Sequence, residues 1–137
     1  MSAKDIFHHA VRSALVKEGW KISHDPLTIT SEDITFFVDL GGECLITAER
    51  DSKKIAVEIK SFLRDSMMPD FHTAIGQVLN YHLALSKVEP ERVLYLAIPN
   101  DVYESFFSKQ FVKRAIKHHQ IKLIVFNPDT EEVVQWL

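Results

Sequence analysis

The sequence predicts an α/β domain, a mixed β-sheet flanked by helices on both faces. Three observations carry this expectation. Two strand-like segments lie on either side of a short polar hairpin, which makes them an antiparallel pair. Two later apolar runs, 92–98 and 121–126, each follow a stretch of helical periodicity. A strand, a helix and a second strand in that order set the two strands parallel through a crossover.

The first element is a helix over 5–17. Ile6, Ala10 and Ala14, with Phe7, Val11 and Leu15 beside them, recur at three and four. Ser2 with Asp5 three residues later makes a box-like start, and Gly19 stands where a helix-ending glycine belongs. Residues 20–30 read as a weak strand broken at Pro26, and 36–40 as a short apolar strand carrying one aspartate. Gly41 and Gly42 mark a turn. Strands at 44–49 and 54–62 are joined by the turn Arg50-Asp51-Ser52-Lys53. Residues 67–70 read as a loop, and 71–86 as a helix whose apolar set is Phe71, Ile75, Val78, Leu79, Leu83 and Leu85. The run 92–98 suits a strand buried on both faces. A helix over 101–119, a strand over 121–126 and a short edge strand within 131–137 complete the order.

The chain has 137 residues, enough for one domain with a core and too few for two ordinary ones. With 4 Gly, 5 Pro and no low-complexity run, residues 1–137 read as a single domain. Apolar residues make up 46% and charged residues 26%, the balance of a folded chain rather than a disordered one. A net charge of −3 excludes a generally polycationic nucleic-acid coat. Apolar stretches are short and broken by charge, so no membrane-spanning helix is expected. The first residues lack the apolar stretch of a signal peptide. Cys44, the lone cysteine, makes neither an internal disulfide nor a cysteine zinc site. A cytoplasmic location is the expectation.

The segment Ile55-Ala56-Val57-Glu58-Ile59-Lys60 carries the strongest chemical signal. Alternation along a strand turns Glu58 and Lys60 to one face and Val57 and Ile59 to the other. Asp39 offers a second carboxylate in another apolar strand, upstream by enough chain for a turn and one intervening strand. If the two strands are neighbours, Asp39 and Glu58 can share one divalent cation. Two hard carboxylates suit Mg²⁺ or Mn²⁺, which keep waters and bind phosphates. Such a metal acidifies a bound water and neutralises charge on a phosphate, with Lys60 polarising the nucleophile or the phosphoryl oxygen. From spacing alone, Glu58 and Lys60 fit first a solvated ion pair on the open face of a sheet, since E-x-K is a common tripeptide.

Asp39, then Glu58-Ile59-Lys60, then a helix carrying Gln77 and Tyr81 resembles the PD-(D/E)XK nuclease superfamily, of restriction-endonuclease-like fold. Val38 stands where the motif has proline, and Pro69-Asp70 falls out of the motif order. The resemblance implies that Asp39, Glu58 and the Ile59 carbonyl bind the metal, that Lys60 is the catalytic lysine, and that Gln77 is an accessory residue. It also implies an αβββαβ core, which the predicted order fits.

A second resemblance spans nearly the whole chain. Residues 3–8 (AKDIFH), 18–27 (EGWKISHDPL), 55–62 (IAVEIKSF) and 92–99 (RVLYLAIP) look like the XisH family, the fdxN-element excision controlling factors of cyanobacteria. That resemblance implies a part in developmentally timed, site-specific DNA excision during heterocyst differentiation, beside a recombinase and the partner XisI. Control of that kind is either hydrolytic, through a Mg²⁺-dependent nuclease site, or non-enzymatic, through binding of XisI, a recombinase or DNA on a nuclease-derived fold. A homodimer also fits, because many relatives of the nuclease superfamily dimerise.

Several residues carry weaker signals. Glu43 and Glu49 are further carboxylates, read chiefly as surface charges, and Asp5, Glu18 and His8 are candidates on the first helix. The pairs His8-His9 and His118-His119 point in different directions along a helix and do not make a zinc motif. Lys109, Lys113 and Lys117 recur at four and form a basic stripe, either a solvated helix face or a phosphate contact. The tail 133–137 either docks on its own sheet or serves an interface.

Overall fold

The computed structural model describes residues 3–36, 44–63 and 67–137. Among these, the chain forms α1 (Ala3–Lys17), β1 (Lys21–His24), β2 (Ile29–Ser31), β3 (Ile34–Phe36), β4 (Cys44–Arg50) and β5 (Lys53–Ile59). It continues through α2 (Met68–Val88), β6 (Arg92–Pro99), α3 (Asn100–Ser105), α4 (Gln110–His118), β7 (Lys122–Asn127) and β8 (Glu132–Trp136).

Six strands build one sheet in the order β1-β4-β5-β6-β7-β8. β1 pairs antiparallel with β4 and β4 antiparallel with β5, with Ile22 opposite Ala48 and Leu45 opposite Glu58. β5, β6 and β7 are parallel, and β8 returns antiparallel along β7. The mixed sheet predicted from the hairpin and the crossovers is present. Helices cover both faces. Ala10, Val11 and Leu15 of α1 pack on Ile55, Val57, Ile59, Ala97 and Ile124. α2, α3 and α4 close the other face over Ala56, Leu94, Leu96, Ile98, Leu123 and Val125, joined there by the small β2–β3 hairpin. β6 and β7 therefore bury side chains on both sides.

Local chemistry explains the boundaries. α1 ends in a Schellman motif: Gly19, at φ +88°, donates its N–H to Val16, and Trp20 donates to Leu15. α4 ends the same way at Gln120, φ +55°, with Gln120 bonded to Lys117 and Ile121 to Ile116. The β4–β5 turn is tighter than the sequence predicts. Arg50 pairs with Lys53, and Asp51 and Ser52 alone turn the chain at φ +51° and +67°, the type I′ geometry of a two-residue hairpin.

Four further expectations are corrected. The weak strand expected over 20–30 divides into β1 and β2 on either side of Pro26, and the two lie in different sheets. The expected loop at 67–70 is the first turn of α2, where Pro69 lacks only an N–H that has no helical partner. The buried stripe of α2 is Phe71, Ala74, Val78, Tyr81, Ala84 and Leu85, with Leu79 and Leu83 exposed. Small alanines let the helix approach the sheet, so they occupy the positions the sequence assigned to leucines. Finally, the helix expected over 101–119 is two helices. Phe106 and Phe107 both donate their N–H to the Val102 carbonyl, and both rings enter the core beside Phe62 and Phe71. In a straight helix adjacent side chains diverge by about 100°, and the break between α3 and α4 lets both rings join one aromatic cluster. Residues 37–40 of the expected aspartate-bearing strand, and Ser2, lie outside the described residues.

Candidate active site

β5 lies between β4 and β6, so both of its edges are hydrogen-bonded. Its odd-numbered residues face α1, and Ala56, Glu58 and Lys60 face the layer of α2. The Lys60 N–H donates to the Ala97 carbonyl at 3.1 Å and carries the ladder one residue past β5. Glu58 is 0% exposed and Lys60 2%. Lys60 Nζ stands 3.6 Å from Glu58 Oε1, an ion pair in the interior. The solvated-pair reading of these two residues is thereby overturned.

The chain after Lys60 is held firmly. Ser61 is buried, and Phe62 adopts φ +54°, an uncommon conformation for a bulky residue. Its ring packs against Phe106 and Phe107 at 6.1 and 5.5 Å. That aromatic cluster fixes the carboxyl end of β5, where the parallel part of the sheet presents its strand ends.

Gln77 lies on α2, in the layer that Glu58 and Lys60 face. Its Oε1 is buried with no hydrogen-bond partner among the described residues. Tyr81, one turn on, is a core residue, with its ring edge-on to Phe36 at 5.8 Å. Ile59 turns its side chain into the α1 core, so its carbonyl is the group it can offer a metal. Asp39 and Glu43 lie outside the described residues, in the segment that leads into β4, the antiparallel partner of β5.

The weaker candidates fall elsewhere. Glu49 is half-exposed and pairs with Arg92 at 3.7 Å. His8 Nε2 meets Asp25 Oδ1 at 2.8 Å, and Arg12 closes on the same carboxylate. Asp5, His8 and Glu18 belong to or follow α1, which packs on the opposite face of the sheet from Glu58. Among the described residues, no three His, Cys, Asp or Glu side chains are grouped to hold a metal ion. Lys113 and Lys117 are exposed on α4, with Lys109 exposed at its start. The tail docks on its own sheet as β8.

Sequence reasoning missed Arg92, a buried cation at the head of β6. Its Nε and Nη2 donate to Glu89 at 2.7 and 3.3 Å, and its Nη1 donates to the Ile55 carbonyl at 3.0 Å. The hydrogen bond from Arg92 holds the Glu89 carboxyl below its ordinary range, against the opposing effect of partial burial. A single arginine opening an apolar run was the available signal.

Comparison with known proteins follows the same lines. The family described as XisH protein matches residues 1–134. A crystal structure of an XisH family protein from Nostoc punctiforme PCC 73102 superposes with a TM-score of 0.90 at 46% identity, covering 97% of this chain and 99% of that one. A fdxN element excision controlling factor protein from Anabaena variabilis superposes at 0.89 and 47% identity, covering 96% of this chain and 98% of that one. A stretch of 49 residues, 35% of this chain, is 45% identical to nucleolar protein 11 of Bos taurus, of which it spans 7%.

Proposed function

The chain belongs to the XisH family, and from that premise we propose that it is a factor for developmentally controlled, site-specific DNA excision carrying a divalent-metal-dependent phosphodiester-hydrolysing site. The observation that carries the hydrolytic reading is the Glu58–Lys60 pair, buried at the carboxyl end of a central strand. Apolar residues of similar volume would stabilise the core at least as well as a buried ion pair. Chemistry therefore explains these residue types better than stability does. The element order supports the same reading: α1, the antiparallel run β1, β4 and β5, then α2 and β6 make an αβββαβ series with the β2–β3 hairpin inserted. We assign the fold on that basis to the restriction-endonuclease-like PD-(D/E)XK group.

The donor chemistry fits a hard cation. Glu58 contributes a carboxylate and Ile59 a main-chain carbonyl, with Asp39 assigned as the second carboxylate. A bound Mg²⁺ or Mn²⁺ would supply an acidified water and charge neutralisation on the phosphate. Lys60, 3.6 Å from Glu58, would orient the attacking water or hold a phosphoryl oxygen. Gln77, whose Oε1 lacks a partner among the described residues, would position the substrate or a water from the α2 side. DNA is the proposed substrate, with an XisI-like protein, a recombinase and a second copy of the chain as proposed partners.

The rival reading is a control module without chemistry, acting through those partners. The closure of Glu58 and Lys60 to solvent, at 0% and 2%, favours it. Calorimetric titration with Mn²⁺ discriminates the two. Saturable binding, lost in Asp39→Asn/Glu58→Gln while the far-ultraviolet spectrum is kept, is expected for the hydrolytic site. Equal heats for both proteins, or no binding by either, would remove the metal centre and leave the control module.

A further inference from the structure

We propose that the cleft at the amino ends of β5 and β6 binds a nucleoside phosphate, either free or as one unit of a single DNA strand. The cleft encloses about 430 Å³ and is lined chiefly by Trp20, Tyr95, Trp136, Arg50, Lys53 and Lys54. That volume lies within the range of about 300–1,000 Å³ typical of small-molecule sites. The inference goes beyond the hydrolytic reading, because this is a different place in the fold. Trp20, Tyr95 and Trp136 belong to the core cluster on the α1 face, and Glu58 and Lys60 face the other layer from the opposite end of β5.

The walls are aromatic and already in place. Trp136 lies 5.8 Å from Trp20 at an interplanar angle of 33°, and Tyr95 meets Trp136 edge-on at 5.1 Å. Trp136 Nε1 donates to Glu18 Oε1 at 3.0 Å, which fixes that ring. The Arg50 guanidinium stacks on Trp20, 4.7 Å from the ring centroid, and its Nη1 donates to the Glu18 carbonyl at 2.8 Å. Flat rings with little rotational freedom are what a nucleobase stacks on.

Two of the lining residues carry buried donors without an acceptor among the described residues. Trp20 is 5% exposed, and its buried Nε1–H has no acceptor among the described residues. The buried Nε–H of Arg50 has none either. A buried donor without an acceptor is costly, and because both atoms are fully buried a ligand reaches either only if neighbouring side chains shift. The charge agrees. Arg50, Lys53 and Lys54 face one lining carboxylate, Glu91, which pairs with Lys54 at 3.6 Å. This is a cationic cleft on a chain of net charge −3. Rings for a base and cations for a phosphate together describe a nucleotide.

The chain has 2 tryptophans and both line the cleft, so intrinsic tryptophan fluorescence reports on it directly. The full chain is titrated with a deoxynucleoside monophosphate, its nucleoside, inorganic phosphate and a short single-stranded oligonucleotide. The monophosphate is expected to quench saturably, with nucleoside and phosphate each binding more weakly. Lys53→Glu, at an exposed position, should weaken the monophosphate about tenfold, the scale of one charge-assisted hydrogen bond. The charge-balanced Glu58→Gln/Lys60→Met variant should leave the curve unchanged, which separates this cleft from the hydrolytic site. Tighter binding of the oligonucleotide identifies a DNA strand as the source, and equal or weaker binding identifies the free nucleotide. Absence of saturable quenching by both, or quenching that Lys53→Glu and Arg50→Leu leave intact, overturns the proposal.

Discussion

Glu58 and Lys60 hold opposite charges 3.6 Å apart with water excluded. Removing one of them leaves the other charge buried, so Lys60→Met alone should cost about 3–5 kcal/mol in urea unfolding. The charge-free pair Glu58→Gln/Lys60→Met should recover most of that loss, and additive losses would show that the two side chains do not interact. At Arg92 the expected effect depends on pH. The Glu89 carboxyl is held below its ordinary value of 4.5, first by the hydrogen bond from Arg92, with Lys54 and His24 also attracting its charge. A carboxyl with a lowered folded-state pKa stabilises the fold above its unfolded pKa and loses that contribution as pH falls through the folded value. Glu89→Gln should thus reduce stability at neutral pH and have little effect in acid below that range. Acid-unfolding midpoints check this, and an equal loss at both pH values would contradict it. Glu58 and Lys60 were legible because charge interrupts an apolar strand. Arg92 was not, because one charged residue at the head of a run reads as a boundary.

Elements were legible where a special residue marks their ends. Gly19 announces the Schellman motif of α1, whereas Gln120 performs the same turn in α4 without the usual glycine. A left-handed conformation costs a non-glycine residue about 1–2 kcal/mol. Gln120→Gly should therefore raise stability by about 1 kcal/mol, partly offset by the greater freedom of glycine in the unfolded chain. Gly19→Ala should lower it by a similar amount, through backbone conformation rather than crowding, since an added Cβ meets Arg50 Cδ only at 3.5 Å. Thermal unfolding of both variants tests the pair. A loss of stability in Gln120→Gly would show that the glutamine side chain matters more than its backbone angle. The break between α3 and α4 was hidden because Phe106 and Phe107 fit the apolar positions of one continuous helix as well as those of two.

The sheet was legible in its centre and at the β8 edge, where the expected tail strand forms, and not in the pairing of β1 with β4 at the other edge. Its centre comes from a local hairpin and two crossovers, each written in a short stretch of chain. β1 reaches β4 across a separate hairpin, and β8 joins β7 beside α1, which Lys17 ties to the Thr130 carbonyl at 2.8 Å. The β1–β4 pairing spans a separate hairpin and leaves no periodic signature, whereas β8 pairs with the strand just before it. The aromatic cleft was hidden for the same reason, since Trp20 and Trp136 stand at opposite ends of the chain. The part of the candidate site contributed by Asp39 lies outside the described residues, so its assignment rests on the sequence pattern. We propose that this fold carries metal-dependent phosphodiester hydrolysis at Glu58 and Lys60. The measurement that tests it most directly is cleavage of supercoiled plasmid DNA in Mn²⁺, comparing the native chain with the folded Glu58→Gln/Lys60→Met variant, each with and without an XisI-like partner. Nicking by the native chain, abolished by chelation and absent from the variant, is expected. Undiminished nicking by the variant, or intact DNA in every arm, would contradict it.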